Sequence, residues 1–482
     1  MSGQTTQSHE FHPDFKKAAA AALADVRIGA TFDRATRLNF DKRRAIMPEL
    51  GRPMAIRELA ARIKDHTLQN LDRYLEQLVE NVRKHGGQVH FAETGQQANE
   101  IITGIARDVG ASLIVKSKSM VSEEIELNQE IEKTGIEVVE TDLGEYILQL
   151  AGEKPSHIVT PVIHKTKEDI AALFRDKLGI EYTVDPEALT AAARKVLRAK
   201  FKAADMGIIG ANFAVAETGT ICIVTNEGNG RFCSSRPRVV VCLMGIEKVV
   251  PRMKDLGIFL KLLGKSATGQ RLTCYTSLIT GPKRPGDFDG PEEFHLVLLD
   301  RGRSRILAGE YRSVLRCIRC GACLNACPVY RRIGGHAYES VYPGPIGKLI
   351  TPLLASLEEY PDLPTASSLC GACLDACPVR IDIPTYLLHM RNELVEQGRM
   401  PWTWRIGFKF WRIGMSSAFL YRCGLKFGRM FMWLLSKDGW LKWLPMDGSG
   451  WTDHRDFPLP AKKPFRARWA DLQKQLDAEE GR

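Results

Sequence analysis

Tryptophan is absent from the first 400 residues of this 482-residue chain; all eight lie beyond them. Other absences narrow the function sooner. No G-x-G-x-x-G follows a predicted strand and no G-x4-G-K-S/T occurs, so a Rossmann dinucleotide site and a P-loop are unsupported. Neither H-E-x-x-H nor G-x-S-x-G is present, which removes the zinc-peptidase helix and the hydrolase nucleophile elbow. No stretch reaches the roughly 18 uncharged apolar residues of a membrane span. The first residues, Met1 to His12, are polar, include Glu10 and lack a basic-then-apolar secretory pattern. A cytoplasmic, reducing location is therefore expected, where disulfides are rare. The length suits two or three domains with a sizeable core.

What is there is cysteine: twelve in all, seven of them in two short runs that nearly repeat each other. The first is Cys317-Ile-Arg-Cys320-Gly-Ala-Cys323-Leu-Asn-Ala-Cys327-Pro328, the C-x2-C-x2-C-x3-C-P spacing of bacterial iron–sulfur proteins. The second is Ser367-Ser-Leu-Cys370-Gly-Ala-Cys373-Leu-Asp-Ala-Cys377-Pro378. Two-residue gaps let a tight turn aim three sulfurs at one cluster, and the last cysteine of each run reaches the neighbouring cluster. The following proline turns the chain away from helix. Cluster one then takes Cys317, Cys320, Cys323 and Cys377. Cluster two takes Cys327, Cys370 and Cys373, and Ser367 stands where its fourth cysteine belongs. Serine is a harder, poorer iron ligand than a thiolate. Ser367 ligates, another group or water fills the position, or the cluster is 3Fe–4S; all three stay open. Two 4Fe–4S clusters are the first expectation, with cluster two the more labile. Zinc favours paired C-x2-C units over a run of four ending in C-P. Of the other cysteines, Cys222 and Cys242 are expected as buried residues in strands, and Cys233, after a Gly-Asn-Gly loop, as exposed.

Hydrophobic spacing of three and four residues predicts helices over residues 14–85, notably Phe15–Val26 and Ile56–Arg83. From Gly86 the pattern alternates. Strands are predicted at Gln88–Phe91, Leu113–Lys116, Ile136–Glu140, His157–Thr160, Cys222–Thr225, Val239–Met244, near Cys274 and at Phe294–Leu299. Helices are predicted at Glu123–Lys133 and Pro186–Ala204. Alternation of this kind indicates an α/β domain with a largely parallel sheet. The expected division is an N-terminal helical region (1–69), an α/β domain (70–300), a helical two-cluster module (301–395) and a C-terminal segment (396–482). The long insert between the cysteine runs, with a helix near Leu349–Leu357, suits a mostly helical module like that of succinate dehydrogenase iron–sulfur subunits.

Two loops of the α/β domain are dense in small and polar residues: 210–220 and 225–231. Glycines at strand ends let backbone N–H groups approach an anion. Asn212, Glu217 and Thr218 are candidate anchors, and Lys116 and Lys118 at a strand end add charge. A pair of tight β-turns explains the same residues equally well. His157 and His164, flanking a predicted strand, read as structural. His336, between the runs, reads as a surface histidine or as a hydrogen-bond donor to a cluster.

The stretches Ser117-Lys-Ser-Met-Val-Ser-Glu-Glu-Ile-Glu-Leu-Asn128, Gly210–Thr220 and Thr225-Asn-Glu-Gly-Asn-Gly230 resemble the lactate-utilisation (LUD) domain. With the ferredoxin pair and basic tail, nearly the whole chain is similar to the lactate-utilisation protein B family. The resemblance implies an α/β fold of the sugar-phosphate isomerase and CoA-transferase-like group. It also implies a role as the iron–sulfur electron-transfer member of a three-subunit system oxidising L-lactate to pyruvate. The implied partners are a cysteine-rich iron–sulfur protein and a second LUD-domain protein. The seven-cysteine pattern is similar to the family's own. Two other readings stand beside it. In one the LUD loops bind the hydroxy acid and are catalytic; in the other the chain is an iron–sulfur redox regulator.

Of the formal net charge of +10, +7 falls in residues 401–482, with 15 Lys and Arg against 8 Asp and Glu. Arg405, Lys409 and Arg412, and again Arg422, Lys426 and Arg429, fall at i, i+4, i+7 and form basic stripes on helices. Aromatic residues run between them. Such a segment packs on an acidic subunit, lies peripherally on the inner face of a membrane, or covers the cluster module. No nucleic-acid motif accompanies the charge, so no nucleic-acid partner is expected.

Overall fold

The computed structural model describes residues 14–399, 402–444, 452, 455–461 and 463–480. The reading of Met1–His12 lies outside the described residues. The chain forms two compact units that divide between Gln397 and Gly398.

The first unit is organised by a six-stranded sheet. Its strands are β1 (Gln88–Ala92), β2 (Leu113–Lys116), β3 (Glu137–Glu140), β4 (Met206–Gly210), β7 (Val239–Gly245) and β10 (Glu293–Leu299), in the order β1-β10-β7-β4-β2-β3. Every neighbouring pair is parallel. Parallel sheets are covered on both faces and read as continuous apolar runs; Val-Val-Val-Cys-Leu-Met-Gly of β7 is buried throughout. The chain leaves β2 toward β3 and leaves β4 toward β7. The order therefore reverses between β2 and β4, where open α/β sheets gather ligands at their carboxyl ends.

A second, four-stranded sheet departs from the expected single alternation. It contains β5 (Phe213–Val215), β6 (Thr220–Thr225), β8 (Val249–Val250) and β9 (Tyr275–Ile279), ordered β8-β5-β6-β9, with β5–β6 and β6–β9 antiparallel. One core cluster joins this sheet (Phe213, Val215), the helix Met253–Ala267 (Phe259, Leu262), the N-terminal helices (Phe32, Ala60) and the cysteine region (Ile318, Ala322). Residues 301–397 contain helices and short 3₁₀ turns but no strand.

Several expected elements are corrected by local chemistry. His157–Thr160 is no strand: the His157 Nδ1 accepts from the Val159 and Thr160 amides (3.0 and 3.1 Å), pinching the backbone into a turn. The helix expected at Glu123–Lys133 is two, Met120–Glu124 and Leu127–Glu132, separated where Glu126 takes φ of 51°. Ile56–Arg83 is likewise two helices, Pro53–Gln69 and Leu71–Lys84, broken at Asn70. Asp25 ends Phe15–Ala24 and caps Val26–Ile46 through the Arg27 and Ile28 amides. The helix in the insert is Gly344–Leu354.

The second unit contains helices Trp402–Met415, Ala418–Leu435 and Phe465–Glu480 and a two-stranded antiparallel pair, Trp440–Leu441 with Phe457–Pro458. The first two helices pack on each other, yet neither has a buried residue.

Gly207 in β4 marks the tightest approach to the helix Asn229–Ser235: a Cβ there would sit 2.0 Å from the Cys233 carbonyl oxygen. Gly207→Ala is expected to cost about 1–3 kcal/mol, the usual range for overpacking, read as a lowered denaturant midpoint.

Candidate iron–sulfur centre

The two cysteine runs fold as a structural repeat. Arg319 and Gly321 take φ of 56° and 73°, and Leu369 and Gly371 take 54° and 81°. Each pair of left-handed residues swings the chain around Cys320 or Cys370 and into a five-residue helix, Ala322–Ala326 or Ala372–Ala376. Cys327 and Cys377 then leave in extended conformation ahead of their prolines. The two short helices pack against each other.

This packing brings the runs together crosswise. Cys317, Cys320, Cys323 and Cys377 line one cavity, otherwise mostly apolar, with Ile158, Ile346 and Ile381 among its walls. Cys373 lies within electrostatic reach of Cys327 and Cys370. Cys320, Cys323, Cys327 and Cys377 are buried, Cys373 is half-buried and Cys370 is exposed. Ser367 Oγ accepts the Leu369 amide at 3.2 Å, and its carbonyl accepts from Arg391 Nη2 at 2.9 Å.

The donor set fits iron–sulfur clusters. Burial, with neighbouring sulfurs, pushes the Cys320 thiol up to about 12, so these sulfurs hold negative charge only with a cation bound among them. Backbone amides already point at the outer sulfurs: Tyr330 N–H donates to Cys327 Sγ (3.5 Å) and Ile381 N–H to Cys377 Sγ (3.3 Å). Among the described residues, no three cysteine sulfurs lie within 4.8 Å of one another, closer than which tetrahedral zinc with ~2.3 Å Zn–S bonds holds its ligands.

The N-terminal helices contribute what no cysteine spacing reveals. Arg57 donates to the carbonyls of Cys377 (2.7 Å), Asp375 (2.8 Å) and Leu374 (3.1 Å), and Arg43 to that of Ala376 (3.0 Å). Two guanidinium groups thus satisfy the exposed carbonyl end of Ala372–Ala376, where a positive charge is favoured. The contacting residues are some 320 positions apart, beyond any local pattern.

The LUD-loop candidates are brought into a hairpin rather than a cavity. The Asn212 amide donates to the Cys222 carbonyl, and its Oδ1 accepts from Val224 N (2.8 Å). Glu217 Oε2 accepts from Met253 N (2.9 Å) at the start of a helix. Thr218 donates to Thr220 (2.7 Å). Lys116 is fully buried, 2.7 Å from Glu140 and 3.3 Å from Glu123. Burial opposes its charge, and the carboxylates outweigh it, raising its pKa. Lys118 faces Glu145 at 3.4 Å. His157 is buried and pushed down to about 3 by desolvation; His164 bonds Ser156 and Glu153; His336 is exposed and bonds the Lys154 carbonyl. Cys233 is not exposed: it sits wholly buried inside a helix with its sulfur 3.3 Å from Thr141 Oγ1.

A separate cleft of about 1790 Å³ opens beside the carboxyl ends of β2 and β3, lined by Glu123, Glu140, Glu145, Arg301, Glu339 and Tyr360 among others. The Glu123, Glu140 and Glu145 carboxylates approach within 4.8 Å of one another. Desolvation pushes Glu145 up to about 7. Sequence reading missed this group, because the three glutamates lie on three elements. None of Asn212, Glu217 and Thr218 lines the cleft.

A LUD domain matches residues 75–299 and a 4Fe-4S dicluster domain matches residues 313–381. The protein is therefore of the class that joins a LUD domain to a dicluster ferredoxin-type domain, and it carries iron–sulfur clusters. It is 49% identical to the lactate utilization protein B of Bacillus subtilis over 88% of this chain and 89% of that one. It is 46% identical to that of Geobacillus kaustophilus over 96% and 95%. The chain belongs to the lactate utilization protein B family. A solved DUF162-family protein from Deinococcus radiodurans, 14% identical, covers 48% of this chain and 98% of that one with a TM-score of 0.27.

Outside the two runs, burial orders the thiols. Cys222 and Cys233 are buried, with thiols pushed up to about 12 by desolvation, and Cys274 is exposed. Because the thiolate is the nucleophile, brief alkylation of the folded protein is expected to label Cys274 and spare both others by mass spectrometry. Equal labelling would contradict the burial described.

Proposed function

We propose that this chain is the iron–sulfur electron-transfer subunit of a system oxidising L-lactate to pyruvate. The observation that carries the reading is the single cavity lined by Cys317, Cys320, Cys323 and Cys377, drawn from two runs some 50 residues apart. These four would hold cluster one. Cys327, Cys370 and Cys373 would hold cluster two, with Ser367 or a non-cysteine group as the fourth ligand. The bound clusters supply one-electron steps; the chain's residues hold them, exclude water from cluster one and leave cluster two near the surface at Cys370. The lactate assignment comes from the family. The partners would be the two other lactate-utilisation subunits, a cysteine-rich iron–sulfur protein and a second LUD-domain protein. In this reading substrate meets another subunit, because Asn212 and Thr218 are engaged within their own hairpin and Glu217 caps the helix that starts at Met253.

The test is electron paramagnetic resonance of anaerobically purified protein before and after L-lactate, alone and with the partner subunits. Cluster reduction only with partners is expected, and Cys320→Ala should remove one cluster signal. Reduction by the isolated chain would move catalysis into its own LUD domain, and Glu217→Gln would then identify the loop involved. Retained growth on lactate with Cys320→Ala would favour the regulator reading.

A second part of the proposal concerns the C-terminal unit, at the inner face of the membrane. Residues 402–437 hold seven Lys and Arg and no Asp or Glu. On its helices Trp402, Phe410, Phe419, Phe427 and Trp433 are exposed, and no described helix is long and apolar enough to cross a membrane. Basic helices with exposed aromatic rings bind an anionic lipid interface in plane. Co-sedimentation with phosphatidylglycerol vesicles is expected at low salt and should weaken at high salt; no binding at low salt rejects it.

A further inference from the structure

We propose that Arg319 sets the reduction potential of cluster one, and that the LUD domain holds Arg319 in place to do so. This rests on the ligand reading above. Adding an electron to an already negative cluster in an apolar cavity is costly, because little solvent is there to screen it. A fixed positive charge in the same low-dielectric surroundings offsets that cost and makes the cluster easier to reduce.

Arg319 has the position and the free donors for this role. It lies between Cys317 and Cys320 and lines the cavity with them. Its side chain is 9% exposed. Its Nε and Nη1 are buried and have no hydrogen-bond partner. Charged donors left unpaired inside a protein are costly, and a negative cluster with its sulfurs is the group that would satisfy them.

The remaining nitrogen is clamped from the LUD side. Arg319 Nη2 is 3.6 Å from Glu247, which follows β7, and the guanidinium lies 4.5 Å over the Tyr342 ring. Glu247 also accepts from Arg303 Nε (2.7 Å). Arg303 Nη2 reaches both oxygens of Glu124 (2.8 and 3.0 Å), and Glu124 accepts the Tyr342 hydroxyl. Glu124 and Glu247 come from two elements of the LUD domain. Glu247 lies between Arg303 and Arg319, and Glu124 between Arg303 and Arg301 (3.8 Å). Lys64 and Lys248 are also buried within electrostatic reach of Cys317 and Arg319, so cations outnumber carboxylates around Cys317.

The repeat supplies the internal contrast. Leu369 occupies the equivalent station in the second run with nearly the same φ, 54° against 56°. The same backbone aims a guanidinium at one cluster and an isobutyl group at the other. Lys348, buried near Cys327, Cys373 and Cys323, is one cation of the second site; like Arg391, which donates to the Ser367 carbonyl, it comes from outside the LUD domain.

The experiment is an anaerobic redox titration followed by electron paramagnetic resonance on the full-length protein, with iron and acid-labile sulfide measured on each sample. Arg319→Leu, which copies the second run, is expected to lower the midpoint of one cluster by about 59 mV or more. That is a tenfold change in a one-electron equilibrium. The other cluster's midpoint should hold. Arg319→Lys, which keeps the charge, should retain most of the wild-type value. If Arg319→Leu fails to assemble clusters, Arg319→Gln is decisive: it removes the charge but keeps a polar side chain, and it should lower the same midpoint. Intact clusters with unmoved midpoints in the variant that assembles overturn the role of Arg319. Wild-type protein lacking iron and sulfide would instead overturn the ligand reading itself.

Discussion

The constraint on which this structure depends is the gathering of four cysteine sulfurs in an apolar cavity. Free thiols tolerate that setting; thiolates do not, and burial drives their pKa values up. Everything around the cavity answers this difficulty. Two repeated turns aim the sulfurs inward, two prolines carry the chain away, backbone amides face Cys327 and Cys377, and guanidinium groups approach from helices far away in sequence. Charge burial on this scale is stable only when opposite charges and donors arrive together.

That requirement explains why the cysteine module does not stand as a separate body. Phe32 and Ala60 from the N-terminal helices, Phe213 and Phe259 beside the second sheet, and Ile318 and Ala322 from the cysteine runs share one core. The buried chain of Glu124, Arg303, Glu247 and Arg319 crosses the same boundary with side chains almost fully out of solvent. Desolvation offsets much of the attraction in a buried network of this kind, so it is a weak source of stability. It ties the end of β7, through Glu247, to Arg319 of the first cysteine run.

The two sites differ in exposure and in fixed charge. In the isoleucine-walled cavity Cys320, Cys323 and Cys377 are buried and Cys317 half-buried, whereas Cys370 of the second run is exposed. The repeat therefore yields two unlike environments from nearly identical local backbone. The Glu-lined cleft beside β2 and β3 adds a third polar region, acidic where the chain as a whole is basic.

Motif spacing by itself determined the cluster module, because the C-x2-C-x2-C-x3-C-P pattern encodes a local turn. Apolar runs determined most strands of the parallel sheet within a residue or two, since strands covered on both faces need no partner to be recognised. Family-like loops were legible as well, and so was the unusual basic, aromatic tail. Tertiary structure decided the rest. His157 turned a predicted strand into a turn through two hydrogen bonds from its own neighbours, and Cys233 was buried by packing against Thr141, over 90 residues away. Asn212 and Glu217 were spent on hairpin and helix-cap bonds that spacing does not show. Only the fold could bring Cys377 to the cavity with Cys317, Arg57 to the Cys377 carbonyl, and Glu247 to Arg319. Those meetings are long-range charge and hydrogen-bond pairings, and no local periodicity records them.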